Sequence, residues 1–223
     1  KNVKKQLALR VMSTAVLMAM VSSIATAAFA DTYDLNTGSV TVETKDDGYT
    51  YVTQEDTEKG GYAQNSNGDT LDGTYKDTDP NGVTITSNGT QTSNTITVET
   101  ADKQTTNVTL QDVHIEVDTT KAKSGAIEIK GDGDTNLELN GNNTVLVENG
   151  GSNHQHAAIE KADKYGTGTL TIKDDVNDNG TPKTGTDADT TGTLLAGGYH
   201  MAAAIGGGSL SYREDSLADT SNI

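Results

Sequence analysis

Four isoleucines constrain this chain more than anything else in it. Ile96, Ile127, Ile159 and Ile205 each sit in a short apolar burst, at intervals of 31, 32 and 46 residues. Each interval holds three bursts: one at the isoleucine, one at Leu110, Leu139 or Ile172, and one at Val117, Val147 or Leu195. The bursts are rich in Val, Ile, Leu and Thr and bounded by Gly, Asn or Asp, the residues of turns. No segment after the first 30 residues sustains a helical period. Three short strands per period, at a fixed pitch, predict an all-β chain folded as a parallel β-helix (solenoid) of about 31 residues per coil. The long interval recovers that pitch once about 15 residues are set aside within "DDVNDNGTPKTGTDADTTG", residues 174–192.

In such a fold, equivalent side chains of successive coils stack at about 4.8 Å. An Ala precedes the isoleucine at Ala126, Ala158 and Ala204, so a column of Ala-Ile pairs would fill a narrow interior. That interior needs no large aromatics, and the chain has no Trp and a single Phe, Phe29. It also has no Cys, so disulfides play no part. In "YHMAAAIGGGSL" (199–210), the Ala and Ile are expected to fill the interior. The glycines after Ile205 are expected to turn a tight corner, for which positive φ is available to them.

Residues 1–30 read as a signal peptide. Lys1, Lys4, Lys5 and Arg10 form the basic start, an apolar stretch follows, and "AFA" (28–30) fits the cleavage site. The apolar run is short for a bilayer and broken by Ser and Thr, so no membrane insertion is expected once the signal is removed. The chain has no opening Met and no recognisable terminal motif, and reads as a fragment truncated at its C-terminus. Residues 31–82 are read as an N-terminal β cap or first coil with a polar loop, and 83–223 as the β-helix. The signal holds 4 of the 16 basic residues, leaving 12 against 32 acidic ones, a net charge near −20. Nucleic acid and anionic membranes are excluded as partners, because binding them draws on Lys and Arg. Cations, or sugars bridged by cations, suit such a surface.

Within residues 83–210, "SNTITVETADKQTTNVTLQDVHIEV", "AAIE", "GTLTI", "GTLLAGG" and "AAAIGGG" resemble the β-helical carbohydrate-binding domain proteins of Firmicutes. The resemblance implies a right-handed parallel β-helix, secreted or held at the cell surface, that binds plant or host polysaccharide, in some members with calcium.

The residues themselves carry less chemistry. "DVNDNG" (175–180) places Asp175, Asn177 and Asn179 at alternate positions before a Gly, like the first half of a calcium loop, with Asp187 beyond. The bidentate Glu such loops end on is missing, and a solvated acidic insertion is the competing reading. Tyr165 and Tyr199 are candidate platforms for sugar rings. His154, His156 and His200 are read as turn residues, since no thiolate joins them. A lyase needs a base beside a uronate carboxylate. The only Arg after the signal is Arg213, and Lys123, Lys130 and Lys161 are unsupported alternatives. The expected function is therefore non-catalytic carbohydrate binding. A surface stalk or adhesin is the alternative, and a polysaccharide lyase stands behind both. N-terminal sequencing of exported protein is expected to begin at Asp31 or within a few residues of it; a chain beginning at Lys1 would overturn the signal assignment.

Overall fold

The structure is a computed structural model. It describes residues 32–56, 61–62, 75–77, 82–118, 124–148, 156–161, 166–174, 191–199 and 202–207. All regular elements among them are strands. The first group comprises β1 (Thr32–Asp34), β2 (Val40–Thr44), β3 (Thr50–Asp56), β4 (Gly61–Tyr62) and β5 (Tyr75–Asp77). Four triplets follow: β6 (Val83–Thr86), β7 (Gln91–Thr92) and β8 (Ile96–Thr100); β9 (Thr105–Gln111), β10 (His114–Asp118) and β11 (Ile127–Lys130); β12 (Asp134–Asn140), β13 (Asn142–Glu148) and β14 (Ile159–Lys161); β15 (Leu170–Lys173), β16 (Thr193–Gly197) and β17 (Ile205–Gly206).

Each triplet gives one strand to each of three sheets, always in the same order. The first sheet runs β1-β6-β9-β12-β15, the second β7-β10-β13-β16, and the third β2-β8-β11-β14-β17. All pairings along these runs are parallel. Among the described residues, only β3, β4 and β5 add antiparallel strands, at the β2 edge of the third sheet.

The isoleucine column is present. Ile96 pairs with Ile127, Ile127 with Ile159, and Ile159 with Ile205. The first three are fully buried, and Ile205 packs against the same core. Val40 extends the column by one position, opposite Ile96. Parallel sheet pairing thus begins at Thr32, well before residue 83. In "TVETKD" (41–46) and "TVETAD" (97–102), Thr41–Thr44 lie in register against Thr97–Thr100.

Corners differ in their chemistry. Between the first and second sheets the chain takes a left-handed residue: Asn88 (φ 52°), Asp112 (φ 48°) and Gly141 (φ 65°). A Cβ on Gly141 would run into the Asp112 carboxylate, which instead accepts the Asn142 amide at 3.0 Å. Before the third sheet, the carbonyls of Ala126, Ala158 and Ala204 accept the amides of Ile96, Ile127 and Ile159 at 2.9–3.0 Å. Ala126 and Ala158 are fully buried, so small residues let one pass of the chain lie directly on the last. Between the third and first sheets the interior is lined by hydroxyls. Thr50 meets Thr44, Thr44 accepts from Thr106, Thr106 meets Thr100 and Thr100 meets Thr135, at 2.6–3.1 Å.

Two expected column positions are corrected. Leu195 does not stack on Val147; it pairs with Thr144, faces outward and is 60 % exposed, while Leu194 and Ala196 pack against the core. Two leucines in succession leave the inward one undetermined until the register is fixed, and a slip of one residue reverses the face. Ile172 pairs with Leu137 rather than Leu139, a slip of two that keeps the face. Ile127→Ala is expected to cost about 2–5 kcal/mol, and outward Thr97→Ala about 0.5 kcal/mol or less, read as shifts in the denaturant midpoint. Equal costs would contradict the inward column.

Candidate functional site

Three turns lie together at one edge of the third sheet: those after β8 and β11 lead into the first sheet, and that after β2 is the hairpin into β3. Lys45 and Asp46 leave β2, Ala101 and Asp102 leave β8, and Gly131 and Asp132 leave β11. With the strand ends at Glu43 and Glu99 they line a cleft of about 480 Å³. Glu43 and Glu99 are cross-strand neighbours, with Lys130 next in the row. A Cβ on Gly131 would collide with the Thr100 carbonyl, so glycine there lets successive turns close up.

The cleft is strongly acidic. Glu43, Asp46, Glu99, Asp102 and Asp132 line it, against Lys45. Lys45 Nζ lies 3.2 Å from Glu43 Oε2 and 4.7 Å from the centre of the Tyr51 ring. Lys103 sits outside and pairs with Asp102 at 2.7 Å, and that hydrogen bond raises its pKa above the usual lysine value. Tyr51 donates its phenol proton to Asp47 Oδ2 at 2.7 Å, which raises its pKa above the usual tyrosine value. Asp132 Oδ1 also accepts the Thr167 amide at 3.2 Å, tying the cleft wall to the next pass of the chain. Tyr49, on the same turn as Lys45, is 44 % exposed.

Apart from Asp132, whose "GDGD" turn (131–134) is a weaker calcium candidate in the sequence, and Lys130, a candidate base, none of these residues was selected by the sequence reading. The repeated "TVET" was the available signal, since it aligns Glu43 with Glu99. Of the residues that were selected, Asp175, Asn177, Asn179, Asp187 and Tyr165 lie outside the described residues. Tyr199 is described and 38 % exposed, and it is not among the residues that line the cleft. Among the described residues, no group of three or more His, Cys, Asp or Glu is placed to hold a metal ion.

The long insertion leaves and returns at one place. Asp174 Oδ1 accepts the Gly192 amide at 2.8 Å, Thr191 bridges to Asn140, and Thr193 then pairs with Asn142. The candidate bases fall differently: Lys161 faces inward, opposite Ile129, and is 2 % exposed, Lys130 pairs with Glu128 at 2.8 Å, and Lys123 lies outside the described residues.

His156 is more than a turn residue. Its Nδ1 lies 2.8 Å from Glu160 Oε2. On the second sheet, His114 Nε2 lies 3.1 Å from Glu116 Oε1. Comparison with family models, curated proteins and solved structures found no match.

Because the Asp174–Gly192 contact closes the insertion at its base, replacing residues 175–190 by a short glycine linker is expected to leave the thermal midpoint within a few degrees of the parent. If the loop holds calcium, the parent alone will show binding heat at millimolar calcium. A collapsed fold in the deletion variant would place the insertion inside the architecture.

Proposed function

We propose that the repeating cycle of three sheets is a right-handed parallel β-helix. We further propose that the protein is a secreted or cell-surface module that binds polysaccharide without catalysis. The handedness follows from the general rule that crossovers between parallel strands of one sheet are right-handed in about 98 % of cases.

The observation that carries the binding reading is the cleft whose walls repeat with the chain. Glu43 and Glu99, on successive passes, are direct cross-strand neighbours, at a strand spacing of about 4.8 Å. A wall that repeats along its length suits an extended polymer better than a compact metabolite. Carboxylates accept hydrogen bonds from sugar hydroxyls, and the exposed ring of Tyr49 beside them is a surface on which a sugar can stack. The resemblance to β-helical carbohydrate-binding proteins points the same way.

The charge refines the ligand. A neutral or amino sugar meets the cleft directly. An acidic sugar needs a cation between its carboxylate and those of Glu99 and Asp132, a role for which calcium and its oxygen ligands are suited. A lyase is the weaker reading, since the lining contains no His or Arg to take a proton. The stalk or adhesin reading draws on a different surface, the outer face of the second sheet, where Leu195 is 60 % exposed beside Leu146.

A glycan array probed with residues 31–223, with and without calcium, tests the proposal. Binding is expected, and the double variant Glu99→Gln, Asp132→Asn should weaken it by tenfold or more while leaving the thermal midpoint nearly unchanged. Retention of binding by that variant would move the site elsewhere. Silence on the array in both conditions would favour the adhesin reading.

A further inference from the structure

We propose that the contact between His156 and Glu160 is an acid-strengthened latch. It holds the turn that enters β14 against the third sheet below neutral pH and loosens that turn as pH rises.

The geometry is that of a carboxylate tying down the residues just before its own strand. Glu160 is 8 % exposed, and its Oε2 receives both the His156 ring at 2.8 Å and the Ala157 amide at 3.1 Å. The charges around it make the histidine proton matter. Glu160 stands directly opposite Glu128 on β11. Glu128 pairs with Lys130 at 2.8 Å, and its other neighbour is the uncharged Thr97 on β8. On the far side Glu160 faces Gly206 of β17, which has no side chain. Among these neighbours, the protonated imidazole of His156 is the positive charge aimed at Glu160. When it is lost, the described neighbours leave two stacked carboxylates with Lys130, which pairs with Glu128.

The contact adds to the backbone hydrogen bond from the Ile127 amide to the Ala158 carbonyl at a turn that packs backbone to backbone. A Cβ on Gly125 of the preceding pass would strike the Ala157 carbonyl. Ala157 and Ala158, both fully buried, carry no polar side chain to hold the turn.

The hydrogen bond to Glu160, with the charges of Glu160 and Glu128, raises the His156 pKa above its usual value, against the opposing effect of partial burial. A folded-state pKa above the unfolded one gives stability that is fully present below the unfolded value, about 6.5. That stability is lost as pH rises through the higher folded value. The latch is therefore closed in mildly acidic conditions and weakened in alkaline ones.

Hydrogen exchange measured by mass spectrometry on residues 31–223 tests the latch. Protection is compared at about pH 5.5 and about pH 8 after correction for intrinsic exchange, a range that spans histidine titration. Protection over residues 156–161 is expected to fall several-fold at the higher pH, and more than protection over 105–111. His156→Gln should abolish the difference, and His114→Gln should preserve it. Equal protection at both pH values in the parent, or an undiminished difference in His156→Gln, would overturn the proposal. If His156→Gln folds poorly, an NMR titration of the parent decides instead. A His156 midpoint at or below that of an unperturbed histidine would refute the latch, and one clearly above it would support it.

Discussion

Everything in this structure depends on parallel pairing in register between successive passes of the chain. Because Ile96, Ile127 and Ile159 occupy the same rung position, Ile127 and Ile159 are each covered above and below by isoleucine, and Ile96 by Ile127 and Val40. The interior is then only as wide as the aliphatic side chains that point into it from three sides. That explains how a chain without Trp, and with its single Phe outside the described residues, buries a continuous core. Close packing is reached by repetition, with Val, Leu and Ile stacked at matching positions from rung to rung. One Tyr, Tyr33, joins the core on β1, the outermost strand of the first sheet.

Repetition constrains the corners more tightly than the strands. A side chain can point outward from a strand at little cost, but at a corner successive turns lie against one another. Each corner meets this with a different residue class. Asn88, Asp112 and Gly141 take the left-handed conformation that other residues adopt at a cost. Ala126 and Ala158 keep adjacent turns close at the entry to the third sheet. At the third corner, Thr44, Thr100, Thr106 and Thr135 are buried and satisfy one another's hydroxyls, so four buried polar groups incur little desolvation penalty.

These classes decide how much was legible in the sequence. The isoleucine column could be read because one large branched residue recurs at nearly constant spacing beside an alanine. Val40 escaped because Val replaces Ile there and a hairpin and loop separate it from Ile96, although "TVET" on both sides marks the register. Leu195 was misplaced because neighbouring leucines carry no parity, which only the pairing partner supplies. The cleft was invisible for a related reason. Glu43, Asp46, Glu99, Asp102 and Asp132 are ordinary acidic turn residues in an acidic chain, and only the stacking of three turns gathers them. His156 and Glu160, four residues apart in sequence, looked like a polar turn because their contact depends on a carboxylate held at the sheet surface.

The stacking that builds the core also writes the surface charge. A residue pointing outward on one pass acquires a neighbour on the next at strand spacing, whatever its charge. Glu43 on Glu99 and Glu128 on Glu160 are like-charged pairs of this kind, and such pairs oppose folding. The chain offsets them locally. Lys45 lies beside Glu43, Lys130 beside Glu128, and His156 covers Glu160. Glu99 has Glu43 on one side and Lys130 on the other, so its row ends in a cation. Of these pairs, the exposed one between Lys45 and Glu43 contributes little stability by itself. What the pairs do is leave the acidic rows compensated at their margins and open in the middle, at the cleft. On the proposed function, the binding surface is therefore a row rather than a point, and its specificity would be set by which rung carries the acid, which carries the base, and where glycine leaves a gap between them.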